Sequence, residues 1–190
     1  MLKLPRTVQL DASDTFVFEQ AAEPGEWAVS GAFVFWNQDP ANLSQKQRVA
    51  LRSGLLGVDS LGWSTLAIVT EATDADRQGV VERLARQLLE KFGAPDLAAA
   101  RGAAEEEVAF AVSLCGHPSG TLLAVQRSAE NGEIRERFRT LKPRQAAAGA
   151  DRLHAHARAF TFHEVEGGEP AEEIDLLEMI RTGPITADRT

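Results

Sequence analysis

The sequence predicts an α+β domain: an antiparallel sheet built from hairpins, with two long helices packed on one face and a short acidic C-terminal helix. Three observations carry this prediction. Apolar residues alternate in short runs toward both ends of the chain, they recur at helical spacing between residues 73 and 115, and Asn131-Gly132 joins two alternating runs as a type I′ turn pair. Strands, then helices, then strands, without strand–helix–strand crossovers, point to hairpins with helices on one side of the sheet.

Leu4 to Leu10 reads as an edge strand, because Pro5 lacks the N–H that a central ladder needs. Asp14 to Gln20 alternates, which would set Phe16 and Phe18 on one face. Glu23-Pro24-Gly25-Glu26 is a turn signature, with proline presetting the first corner and glycine accepting positive φ at the second. Trp27 to Trp36 is then the returning strand with Gly31 as a bulge, so that residues 14–36 make an aromatic-rich core hairpin. Ser44 caps a short helix through Arg52, and Gly54, Gly57 and Gly62 supply tight turns before a buried strand from Ser64 to Thr70. Thr73 and Asp76 form a capping box for a helix with the stripe Val80, Val81, Leu84, Leu88 and Phe92, which Gly93 and Pro95 end. Asp96 caps the second long helix, where Leu97, Ala100, Ala104, Val108, Ala111 and Cys115 recur at helical spacing.

The hairpin pairs Thr121–Glu130 with Glu133–Leu141. Its two-residue turn fixes the register, placing Phe138 opposite Val125 and Ile134 opposite Ala129 on the buried face. Arg135, Arg137 and Arg139 then oppose Ser128, Gln126 and Ala124 on the other face. After Pro143, a run of small residues predicts a flexible insert over 145–156, followed by a strand from Ala157 to Val165 and the acidic helix around Ala171 to Arg181. A single globular domain therefore spans 1–181, with 182–190 a frayed tail. Residues 164–180 hold seven acids and no base.

Composition narrows the function. A chain of 190 residues buries a sizeable core without disulfide or metal staples. Its net charge of -8 and pI near 5.1 argue against a general nucleic-acid binder. No apolar run is long enough to span a bilayer and no secretory apolar core opens the chain, so the expectation is a cytoplasmic protein without membrane contact. One cysteine excludes an internal disulfide and CxxC zinc motifs. Gly62-Trp63-Ser64-Thr65-Leu66 lacks the second glycine of a nucleophile elbow, and neither phosphate-cradling glycine motif occurs. No catalytic residue and no cofactor are assigned. Cys115, paired with His117 at a helix C-terminus, reads as a buried structural thiol, since the dipole there disfavours thiolate. His154 and His156, with His163 or Asp151, lack a third ligand at a recognisable spacing, so no metal site is expected. Glu105-Glu106-Glu107 reads as a solvated helix face.

Two candidate sites remain. Arg135, Arg137 and Arg139, with Lys142 close behind, form a basic stripe on an acidic chain, suited to an acidic protein partner or an anionic ligand. Pairing of the stripe with the acidic C-terminal segment is the plainer reading of the same residues. The second candidate is a pocket between the aromatic hairpin 14–36 and the Gly-rich loop 54–63, lined by Trp27, Trp36 and Trp63, in a small enzyme or small-molecule-binding protein.

The stretches DTFVFEQAAEPGEWAVSGAFVFW, GLLGVDSLGWSTL, AAEEEVAFAVSLC and AFTFHEVEGGEPAEEIDLLEM resemble an uncharacterised bacterial family catalogued only as a domain of unknown function. The likeness covers most of the chain except QAAAGADRLHAHA, and the family has no assigned catalytic residue to carry across. The resemblance implies an accessory role beside cofactor-ligase-like and molybdoenzyme-maturation proteins. The expected function is therefore a non-catalytic accessory or adaptor protein that binds another protein in maturation of a cofactor-dependent enzyme.

Overall fold

Pro5 occupies an edge strand, the one place in a sheet where a missing N–H costs no ladder bond. The computed structural model describes residues 1–9, 14–130 and 133–141. Its first strand, β1 (Lys3–Val8), is shorter than the expected Leu4–Leu10 and lies outermost in a four-stranded sheet.

The aromatic segment does not form the expected hairpin. Residues Asp14–Val17 make one helical turn, α1, in place of the strand over 14–20. Phe16, within the turn, is 75% exposed, while Phe18, just past it, is 2% exposed, so the alternation that would set both on one face of a strand does not apply. Of Trp27–Trp36 only β2 (Ala28–Val29) is strand. Gly31 is no bulge: it ends the strand at φ 76, and a side chain there would collide with Leu56 and the Trp63 ring. A 3₁₀ turn, Ala32–Phe35, follows and buries Ala32 and Phe35, three residues apart and so on one face of a three-residue turn.

The middle of the chain follows its end signals. Ser44 and Gln47 form a reciprocal capping box on α2 (Gln45–Ser53). Strands β3 (Leu55–Gly57), β4 (Trp63–Ser64) and β5 (Leu66–Glu71) come next, so the strand expected over 64–70 is interrupted at Thr65. Thr73 and Asp76 cap α3 (Asp74–Lys91), and Asp96 caps α4 (Leu97–Leu114). The hydrogen bonds from Thr73 hold the Asp76 carboxyl below its usual pKa. The hairpin strands are β6 (Leu122–Glu130) and β7 (Glu133–Leu141), in the expected register. The insert at 145–156, the strand over 157–165, the acidic helix, the tail at 182–190 and the domain limit at 181 lie outside the described residues.

Both sheets are antiparallel, one ordered β1-β5-β6-β7 and the other β2-β3-β4. The main core joins Leu4, Val29, Leu56 and Val58 to the stripes of α3 and α4. Ala100, Ala104 and Ala111 are fully buried, and their small side chains let the two helices approach closely. Leu97 and Phe92, at the ends of the stripes, are instead 54% and 38% exposed. Phe110 of α4 meets Phe138 of β7 edge-to-face at 5.6 Å, and Cys115 packs with Val69 and Leu123. A smaller core gathers Phe18, Phe35, Leu43, Ala50 and Leu51 beneath Ile134.

Candidate functional site

Strand geometry positions the basic stripe. Arg135, Arg137 and Arg139 are exposed on β7, opposite Ser128, Gln126 and Ala124 of β6. Same-face neighbours on a strand stand about 7 Å apart, so three guanidinium groups form a row about 14 Å long. Lys142, the fourth residue of the candidate stripe, lies outside the described residues.

The opposite face of the same hairpin holds a site that charge-run reading missed. Arg127 is 3% exposed and faces Glu136 across the ladder. Its Nε donates to Glu136 Oε1 at 2.7 Å, and its Nη1 donates to the carbonyls of Gly54 at 2.7 Å and Leu51 at 3.2 Å. Its Nη2 donates to the Ser30 carbonyl, and the Ser30 hydroxyl donates to Glu136. One guanidinium thus ties β7, the end of α2 and the turn after β2 together. Burial lowers the Arg127 pKa, and the carboxylates of Glu136 and Glu107 act against that shift.

Glu107 is the second correction. It does not sit on a solvated face: it turns inward and accepts the Gly31 N–H at 2.8 Å. Burial raises its pKa above the ordinary glutamate value, and the Glu136 charge adds to the rise, while the Gly31 N–H and Arg127 oppose it.

The three tryptophans are not brought together. Trp27 lies under the Arg6 guanidinium, 3.7 Å from ring centroid to carbon, and borders a cleft of about 380 Å³ with Asp59, Gly79 and Arg83. Trp63 stacks on Phe35 at 5.2 Å and borders a separate cleft of about 300 Å³ with Gln20, Gln38 and Lys46. Trp36 is 71% exposed and lines neither. A helical step separates it from Phe35, which enters the core. Besides residues of 14–36 and 54–63, the first cleft is lined by Arg6 and the first turns of α3, and the second by Gln38 and α2.

That loop is held by Glu26, a buried carboxylate that accepts the backbone N–H groups of Glu23, Asp59 and Ser60 at 2.7–2.9 Å. Gly57 leaves room for this carboxylate and Gly62 for the Ala21–Ala22 backbone. None of Gly54, Gly57 and Gly62 has positive φ; all three allow close approach, and Gly57 and Gly62 also bracket the expected tight turn, where the Gly57 N–H donates to the Gly62 carbonyl at 2.8 Å.

Cys115 is buried, and desolvation pushes its thiol up to about 11. The His117 carbonyl accepts from Lys3 Nζ at 2.7 Å. His154, His156, His163 and Asp151 lie outside the described residues, among which no three potential metal ligands cluster. No described helix is long and apolar enough to cross a membrane.

Residues 1–159 match the model of a family of unknown function, DUF6505. The chain belongs to that family. The match to DUF6505 includes both clefts, the Arg127 site and the basic stripe, and it ends before the acidic segment that begins at Glu164. Searches of the curated proteins and of the solved structures find no significant match.

Proposed function

We propose that the protein is a non-catalytic accessory or adaptor, acting in the cytoplasm, that docks an acidic protein partner on Arg135, Arg137, Arg139 and Lys142. The observation that carries the reading is that Arg135, Arg137 and Arg139 are exposed on one face of the outermost described strand of the sheet. Like charges along one strand face repel modestly. An acidic partner turns that repulsion into attraction, chiefly as a faster, salt-sensitive association. Maturation of a cofactor-dependent enzyme is the setting that the family resemblance implies.

The test compares wild type with the triple variant Arg135→Gln, Arg137→Gln, Arg139→Gln as baits in extract of the native cell. The variant should melt with wild type and lose partners that wild type releases as salt rises. Equal capture by both baits across salt concentrations would overturn the proposal.

A second reading, a small-molecule-binding protein, is favoured by the cleft beside Trp27. Gly79 leaves its wall open, since a Cβ there meets nothing within 4 Å. Metabolites that raise the melting temperature of wild type, and lose that effect in Gly79→Leu, would support this reading over the adaptor.

A further inference from the structure

We infer that the cleft bordered by Trp63 is a binding site for a free amino acid with a large apolar side chain. The inference goes beyond the docking proposal and rests on neither the arginine row nor the cleft beside Trp27. One part of the lining is apolar. Val34, Phe35, Ala50, Leu61 and Trp63 supply it, and the Trp63 ring stacks on Phe35 at 5.2 Å. Leu61 holds φ 54, the one positive φ outside glycine among the described residues. Glycine would take that conformation without strain. What leucine adds is an apolar side chain on the cleft wall.

The polar part of the lining is divided by charge. Glu19 and Gln20 come from the segment after α1, and Lys46 and Gln47 from the first turn of α2. The Ser44 hydroxyl, which caps α2, donates to Glu19 Oε1 and so holds this carboxylate beside the turn that carries Lys46. Yet among the described residues neither Glu19 nor Lys46 enters an ion pair. The amides extend the division. Gln20 donates to the Ser60 carbonyl, which leaves its oxygen to accept. Gln47 accepts the Ser44 N–H at 2.9 Å, which leaves its NH₂ group to donate. One segment therefore offers the cleft acceptors and the other offers donors.

An α-ammonium and an α-carboxylate on one small molecule answer both sets. Glu19 and Gln20 accept from the ammonium, while Lys46 and Gln47 donate to the carboxylate. The apolar side chain lies against Leu61 and Trp63, where its burial supplies much of the affinity. A volume of about 300 Å³ is at the small end for ligand sites and suits a single amino acid. A plain anion is repelled by Glu19 and a plain cation by Lys46, so the paired charges also select. A peptide terminus brings only one of the two charges and is refused on the same ground.

The experiment titrates the full chain with L-phenylalanine and L-leucine. Its controls are free glycine, phenethylamine, which lacks the carboxylate, and phenylpropionate, which lacks the ammonium. The two apolar amino acids should raise the melting temperature and bind about tenfold more tightly than any control. In isotope-labelled protein they should shift the backbone amide signals of Lys46, Leu61 and Trp63. Those of Asp76 and Gly79, which line the other cleft, should stay in place. Lys46→Gln and Glu19→Gln alter exposed positions, so both variants should melt with wild type and each should bind L-phenylalanine about tenfold more weakly.

No response to either amino acid, equal affinity for phenethylamine or phenylpropionate, or undiminished binding in both variants would overturn the inference. Shifts confined to Asp76 and Gly79 would overturn it in favour of the cleft beside Trp27. Should a variant lose its fold, the series of analogues on the unaltered chain decides alone.

Discussion

Arg127 and Glu136 face each other across the β6–β7 ladder, joined by a 2.7 Å charge-assisted hydrogen bond beneath the hairpin. The guanidinium is fully buried, and its remaining donors go to the carbonyls of Leu51, Gly54 and Ser30 and to the Ser30 hydroxyl. Removing one member of such a pair leaves an uncompensated charge and orphaned carbonyls. Arg127→Met should cost about 3–5 kcal/mol in urea unfolding. The double variant Arg127→Met, Glu136→Met should recover part of that loss. A single variant within about 1 kcal/mol of wild type would refute a structural role for the pair.

Glu107 yields a pH prediction. Its folded-state pKa is raised, so its contribution to stability is complete below the ordinary glutamate value and is lost as pH rises through the folded value. Glu107→Gln keeps an acceptor for the Gly31 N–H but carries no charge to desolvate. The variant should melt with wild type below about pH 4 and above it at pH 7 and beyond. A gap that opens on acidification would contradict the assigned cause.

Cys115 should resist thiol reagents. With the thiol pushed up to about 11, its thiolate fraction at pH 8 is on the order of one in a thousand, before burial is counted. Labelling should proceed only on unfolding, and Cys115→Ser should cost about 1–3 kcal/mol by burying a hydroxyl in place of a thiol. Labelling of the native protein at the rate of an exposed thiol would disprove the structural role.

Two glycines should respond oppositely to alanine. At Gly79, mid-helix in α3 with open space around it, alanine should stabilise by about 0.5–1 kcal/mol. At Gly62 a Cβ would strike the backbone of Ala21 and Ala22, which cannot swing aside as a side chain can. Gly62→Ala should destabilise by about 1–3 kcal/mol. Paired melting curves check both signs.

What could be read in the sequence is what local chemistry decides. The capping boxes at Ser44 and Thr73, the cap at Asp96 and the register of the hairpin each depend on residues within a few positions of one another. The aromatic segment imitates a strand because Phe16, Phe18, Phe33 and Phe35 alternate as strand residues do. The spacing of three between Ala32 and Phe35, after a glycine, was the competing signal for a 3₁₀ turn. The arginine row was legible from the register, and so was its inner counterpart, since the register that turns three arginines outward turns Arg127 and Glu136 inward as opposite charges. What no local pattern announces is where Arg127 sends its other donors, because those carbonyls lie far off in the chain. The three tryptophans fail for a related reason: composition puts them in one segment and its neighbour, but their grouping depends on the path between.

The Arg127 contacts also fix an order of events in synthesis. Its carbonyl partners lie 73, 76 and 97 residues earlier in the chain. As the polypeptide emerges, Ser30, Leu51 and Gly54 are made long before the cation that will satisfy them, and the turn after β2 stays open to water until then. The N-terminal half cannot settle into its final form ahead of the hairpin, nor can the hairpin bury its charge ahead of the N-terminal half. Long-range closure of this kind slows folding and makes it all-or-none across the two halves. A ribosome stalled near residue 120 would therefore carry a chain whose first turns still await their clasp.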